Sequence, residues 1–205
     1  VETPQTEATP FWPRSPYGVA KLYAYWIVKN YRESYGMYAC NGILFNHESP
    51  KRGDDFVTQK IVKAAIAISY GEQSKLTLGN LDAMRDWGHA KDYVKGMYLM
   101  LQQDKPVDYV LATGEIHSVR ECCEYVFKKL GMPLRWEGKG IEEKGYSGDK
   151  LMIDCSEEFY RPAEVQLLHG DSTKAQTELN WEFEHDFYSL MDDMVDTELM
   201  KHMVK

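Results

Sequence analysis

Tyr17 and Lys21 stand four residues apart in the stretch Ser15-Pro16-Tyr17-Gly18-Val19-Ala20-Lys21. On a helix that spacing places both side chains on one face. A free phenol, with a pKa near ~10, is a poor base at neutral pH. A neighbouring ammonium favours its ionised form. Such a tyrosine can take the proton of a hydroxyl while hydride leaves the same carbon, and the lysine can also hold a cofactor ribose. The spacing fits equally two helix neighbours with no joint role, because Tyr-x-x-x-Lys recurs by chance.

Three further groupings carry polar chemistry. Asn46-His47-Glu48-Ser49-Pro50 runs into Lys51-Arg52, and the helix after that loop carries Val57 and Lys60. Arg85-Asp86-Trp87 follows the turn at Gly79-Asn80-Leu81, and Arg161-Pro162 precedes Glu164. A guanidinium fork suits two phosphate oxygens. Each grouping also has a plainer reading. His47 fits a solvent-exposed loop histidine, Lys51-Arg52 an ordinary charged loop, Lys60 a surface charge, Trp87 a core residue and Asp92 a helix cap or dipole partner. The 6 histidines are scattered, His89 with Asp92 is too sparse a set, and no H-E-x-x-H occurs, so no metal is expected. No glycine-rich phosphate turn of the G-x-G-x-x-G or G-x-x-G-x-x-G type is found; Gly138, Gly140, Gly145 and Gly148 lack both the pattern and the strand–turn–helix setting.

Alternating strands and helices must position these residues. Ser15 and Pro16 predict a helix entry. Val19, Leu22, Tyr23, Trp26, Ile27 and Tyr31 recur at helical spacing over 17–35, and Gly36 stops the run. A strand is predicted in 38–45, then a polar loop over 46–55. Asp54 or Asp55 is the expected cap of a helix at 56–70 with Val57, Ile61, Ala64, Ala65 and Ile68 inside. Leu76–Leu78 reads as a strand, 79–87 as a turn and an extended piece, and 90–103 as a helix with Val94, Met97, Tyr98 and Leu101 on one side. Tyr109–Thr113 reads as a buried strand. Ser118 and Glu121 form a capping box for a helix at 119–130. Residues 134–136 suggest a strand, 137–150 a loop and 151–155 another strand. Asp171 is the expected cap of a short helix ending near Asn180. A last amphipathic helix begins near 185, with Phe187, Leu190, Met191, Met194 and Val195 inward. The alternation argues for an α/β fold with a parallel sheet and a smaller region beside it.

The totals narrow the function classes. A formal charge of -8, from 24 basic and 32 acidic residues, gives no sign of a nucleic-acid surface. The 4 cysteines, with Cys122 and Cys123 adjacent and Cys40 and Cys155 remote, read as reduced thiols of a cytoplasmic protein. No apolar run reaches the length of a membrane span, so no membrane partner is expected. The first residue is Val1, and an upstream part is expected to be absent.

The blocks SPYGVAKLYAYWIVKNYRESYG, NGILFNHESPKRG, LGNLDAMRDWGHAKDYVKGMYLML, ATGEIHSVRE and FYRPAEVQLLHGD together resemble the GDP-mannose 4,6-dehydratases, extended members of the short-chain dehydrogenase/reductase family. The resemblance runs from residue 1 to about 181; the loop 138–150 and the last twenty residues carry little of it. It implies the C-terminal part of a Rossmann-like fold, with 1–75 belonging to the NADP-binding domain and 76–205 mainly to a nucleotide-sugar-binding region. It implies conversion of GDP-mannose to GDP-4-dehydro-6-deoxy-mannose with NADP as internal hydride carrier. Tyr17 then matches the base acting at the C4 hydroxyl, and Lys21 the residue that contacts the nicotinamide ribose. Tyr17, Lys21, His47 and Arg52 match NADP-contacting positions. Asn46, Val57, Lys60, Arg85, Arg161 and Glu164 match positions that contact the GDP-sugar. Met84 stands where the family often has another basic residue, which implies fewer phosphate contacts. The family's Thr or Ser and its Glu, like the glycine-rich turn, belong upstream, so these 205 residues alone are expected to be inactive. The resemblance also implies a homodimer or homotetramer; the aromatic face Tyr23, Tyr25, Trp26 and Tyr31 of the 17–35 helix fits packing against its twin and fits inward packing equally. Two other readings stand beside it: a non-catalytic nucleotide-sugar-binding or assembly module, and a related dehydratase or 4-epimerase.

Overall fold

The computed structural model describes residues 2–160 and 167–204. In chain order the first elements are α1 (Pro16–Tyr35), β1 (Gly42–Leu44), β2 (Asn46–Glu48), α2 (Val57–Ser69) and β3 (Leu76–Leu78). Next come β4 (Met84–Arg85), β5 (Trp87–His89), α3 (Ala90–Met100), β6 (Tyr109–Leu111) and β7 (His117–Ser118). The remainder are α4 (Val119–Lys129), β8 (Arg135–Glu137), β9 (Lys144–Ser147), β10 (Lys150–Cys155), α5 (Thr173–Leu179) and α6 (Phe187–Met203). They divide into two compact units, each built from three separate stretches of chain.

The first unit comprises 1–47, 86–116 and 168–186. Its β1 pairs with β6 in parallel, with Ile43 opposite Val110. Parallel neighbours need a crossover, and the chain between them contains α3. That helix packs closely on β6: a Cβ on Gly96 would stand 2.8 Å from Leu111 Cδ1. Tyr93, Met100, Tyr109, Leu111, Ala175, Leu179 and Trp181 form the core there. The indole of Trp181 donates to the Asp92 carbonyl at 2.8 Å, so its one polar atom is satisfied inside.

The second unit comprises 48–85, 117–167 and 187–205. Its sheet has the order β3-β10-β9-β8; β10 runs parallel to β3 and antiparallel to β9. Helices α2, α4 and α6 pack on one another. Ile61, Val62, Ala65, Cys122, Cys123, Val126, Phe127, Leu190, Met191, Met194 and Val195 fill the space between them. The inward face expected for the last helix is therefore the observed one. All four cysteines are free thiols, as read from their spacing.

Five local expectations need correction. Residues 46–48 are not loop but strand β2, which pairs with β5; cross-strand pairing outweighs the low strand propensity of Asn and Glu. Neither Asp54 nor Asp55 caps α2. Phe56 holds the cap position with extended backbone and no side-chain bond, and Asp54 instead pairs with Lys63 at 2.6 Å. In α3 the stripe Val94, Met97, Tyr98 and Leu101 is exposed, while Tyr93, Gly96 and Met100 are buried. The 137–150 stretch contains β9, paired on both sides. Gly145 lies under the Trp136 ring, where an added Cβ would come within 2.8 Å, so a glycine that looked like loop is a packing requirement. Asp171 accepts from the Thr173 amide at 2.9 Å, one residue before the cap position held by Ser172.

Candidate active site

Helix α1 starts as its sequence predicts. Ser15 is extended and its Oγ accepts from the Gly18 amide at 3.0 Å, with Pro16 first in the helix. That entry fixes Tyr17 in the first turn and Lys21 one turn on. Tyr17 is 74% exposed and Lys21 is exposed beside it along the axis. None of the 20 residues of α1 is buried. The phenol and the ammonium are thus presented on an open helix face.

Asn46 and His47 lie half-buried on β2 of the same unit. His47 Nδ1 is 2.9 Å from the Phe45 carbonyl. A carbonyl only accepts, so Nδ1 carries the hydrogen and Nε2 keeps its lone pair in the neutral ring. The ring stacks on Tyr93 at 5.2 Å, which fixes its plane. Asp86 organises the neighbouring turn. It is buried and accepts from the Thr113 amide at 2.9 Å, the Thr113 hydroxyl at 2.8 Å and the Gly114 amide at 2.9 Å. Burial pushes its carboxyl up, against the pull of those bonds. Trp87 is core, as its plainer reading had it.

In the second unit Arg52, Val57 and Lys60 belong to one loop–helix segment. The Arg52 guanidinium lies 3.4 Å over the Phe56 ring, and its Nε is 3.1 Å from Glu48 Oε2. Val57 opens α2, partly exposed. Lys60 is no free surface charge: Nζ donates to the Thr77 carbonyl at 2.9 Å and stands 3.9 Å over Phe159. Burial pulls its ammonium down, and Glu158 opposes that. Arg85 lies on β4 opposite His117 of β7, half-buried, with Nη1 donating to the Met84 carbonyl at 2.8 Å. Arg161 and Glu164 lie outside the described residues.

Glu48, Thr58 and Asp86 are not singled out by the sequence, yet each holds defined polar partners in the fold. For Glu48 the sequence offers only an acid four residues before Arg52, a pairing distance on a helix but not a reliable one in a strand end and turn. Asp86 offers no such signal, because its partners, Thr113 and Gly114, are remote in sequence. Among the described residues no group of three or more His, Cys, Asp or Glu can hold a metal ion, and no helix is long and apolar enough to cross a membrane.

A family model described as GDP-mannose 4,6 dehydratase matches residues 1–194. The chain belongs to that family. A GDP-mannose 4,6-dehydratase of Sinorhizobium fredii (strain HH103) is 58% identical over 200 residues, covering 97% of this chain and 57% of its own length. A human GDP-mannose 4,6 dehydratase is 55% identical over 204 residues, covering 98% of this chain and 55% of its own. The chain thus spans about half the length of these curated relatives. Among solved structures, RMD from Pseudomonas aeruginosa complexed with NADPH superposes with a TM-score of 0.82 at 20% identity, over 97% of this chain and 61% of that one. A Bacillus anthracis dTDP-glucose 4,6-dehydratase in complex with NAD gives 0.78 at 19% identity, over 97% and 57%. These share the Rossmann-like fold of the extended short-chain dehydrogenase/reductases, as expected for the family.

Proposed function

We propose that the protein carrying this chain dehydrates GDP-mannose to GDP-4-dehydro-6-deoxy-mannose, using NADP as its internal hydride carrier. The observation that carries the reading is the exposed pair Tyr17 and Lys21 on consecutive turns of α1, within a chain of this family. Tyr17 takes the proton of the C4 hydroxyl. The resulting 4-ketone acidifies the C5 hydrogen, and loss of that proton with the C6 hydroxyl releases water. When bound, NADP supplies the acceptor for hydride at C4 and its return at C6.

The chain's own residues suit such a cofactor. Lys21 sets a cation beside Tyr17 and holds the nicotinamide ribose. His47 offers Nε2, its other nitrogen being committed to Phe45. Arg52 presents a guanidinium for an anionic oxygen. Asn46, Val57, Lys60, Arg85, Arg161 and Glu164 form the contacts to the GDP-sugar. Holding the hydroxyl beside the base accounts for much of the rate.

The test is to incubate the complete gene product with GDP-mannose and follow the 4-keto-6-deoxy product. Tyr17→Phe is expected to lower kcat by about 10²- to 10⁴-fold while the protein still binds GDP-mannose. Unchanged turnover in that variant would remove Tyr17 from the chemistry.

A further inference from the structure

Glu48 is 2% exposed, an unusual place for a carboxylate without a structural partner. Its Oε2 accepts from the Thr58 hydroxyl at 2.6 Å, and the same oxygen lies 3.1 Å from Arg52 Nε. That second contact is an ion pair outside hydrogen-bond alignment, since Nε itself is buried without a bonded acceptor. The opposite face of the guanidinium rests on Phe56. Arg52 is therefore held at one edge and one face, by a charge and by a ring. Among the described residues none accepts from its Nη nitrogens. These two carry the fork that suits an anionic oxygen. The backbone is held as well: the Arg52 amide donates to the Ser49 carbonyl at 2.9 Å, closing a turn.

We propose that Glu48, fixed by Thr58, is a positioning residue that aims the Nη fork of Arg52 at a phosphate oxygen of the dinucleotide cofactor. This rests on the reading of Arg52 as a cofactor contact. A flexible arginine loses rotamer freedom on binding; Glu48 and Phe56 fix that freedom before the ligand arrives. Glu48 itself touches neither cofactor nor substrate in this account. Its buried charge also opposes the arginine's, so the loop carries no excess positive charge when free of ligand.

Equilibrium binding of NADPH to the complete protein, measured by calorimetry beside the melting temperature, separates the possibilities. Glu48→Gln keeps an oxygen for Thr58 but removes the charge. It is expected to weaken NADPH binding about tenfold, with the loss appearing in the NADP concentration that half-saturates turnover rather than in kcat. In the Arg52→Ala background the same substitution is expected to add nothing, as coupled residues behave in a double-mutant cycle. Thr58→Val, which removes the bond fixing Glu48, is expected to reproduce the effect and provides the readout should Glu48→Gln fail to fold. Binding that Arg52→Ala leaves unchanged overturns the cofactor reading of Arg52 itself. Binding weakened by Arg52→Ala but untouched by Glu48→Gln, or weakened additively in both backgrounds, overturns the positioning role alone.

Discussion

At the scale of single residues, buried carboxylates carry much of the local order. Asp86 collects three donors from Thr113 and Gly114 at 2.8–2.9 Å. Gly114 sits there at φ 78°, a left-handed conformation in which a side chain is strained. The Asp86 carboxylate thus holds the turn that closes β6. Replacing it with Ala leaves the amides of half-buried Thr113 and exposed Gly114 without this acceptor, and an unsatisfied amide costs about 1–3 kcal/mol where water cannot reach it. Asp86→Ala is expected to lose about 2–4 kcal/mol in urea denaturation. A loss below about 0.5 kcal/mol, the range of an ordinary surface change, would mean that water replaces the carboxylate there.

At the scale of elements, α1 is tied down by polar contacts, since it has no buried residue. Arg32, in its last turn, donates to Asp108 Oδ1 at 2.7 Å and Oδ2 at 3.0 Å, and to the Ala39 carbonyl at 3.0 Å. The two side chains are 16% and 11% exposed. Burial pushes the Asp108 carboxyl up, but the Arg32 fork and the Asn41 bonds outweigh it and hold it below the usual range. A depressed carboxylate contributes stability above the unfolded value near ~3.9, and that stability is lost as pH falls through the lower folded value. Asp108→Asn is therefore expected to cost about 2–4 kcal/mol at pH 7, with the gap to wild type closing below about pH 4. A gap independent of pH from 7 to 3 would show that the charge is not what matters.

The helices α1, α2, α4 and α6 were legible in the sequence because each shows either a cap chemistry or an apolar period. Strands β2 and β9 were not. Apart from Tyr146 their residues are polar or Gly, and only the partners β5, β8 and β10, distant or unpredictable in register, make them strands. The exposed stripe of α3 misled for a related reason: Gly96 and Tyr93 face the core, and a glycine adds nothing to an apolar count although it permits the closest approach. For the candidate site, the helix that carries Tyr17 and Lys21 on consecutive turns was readable from its cap and spacing, while the roles proposed for the two come from the family blocks. The engagement of Lys60 by Thr77 and Phe159 was not, because those partners arrive from β3 and from the turn after β10.

At the scale of the whole molecule, α1 is the feature that asks for a partner. Tyr23 is 69% and Trp26 56% exposed, and Ile27, Tyr31 and Tyr35 extend the same apolar surface. Large contiguous apolar patches are rare on monomeric proteins, and we propose that a second copy of the complete protein covers this face. Lys29 stands 5.0 Å over the Trp26 ring and 5.9 Å from that of Tyr25, so the face mixes aromatic anchors with a rim of charge, as interfaces do. A two-fold arrangement would bring the same residues together from both copies, which makes any charge placed there repel its twin. Trp26→Glu in the complete protein is thus expected to halve the mass seen by light scattering at low micromolar concentration while leaving the circular dichroism of the fold intact. Lys29→Ala, at the rim, is expected to leave the mass unchanged or to weaken association only slightly. An unchanged mass for Trp26→Glu would mean that α1 is covered by something other than a second copy of itself.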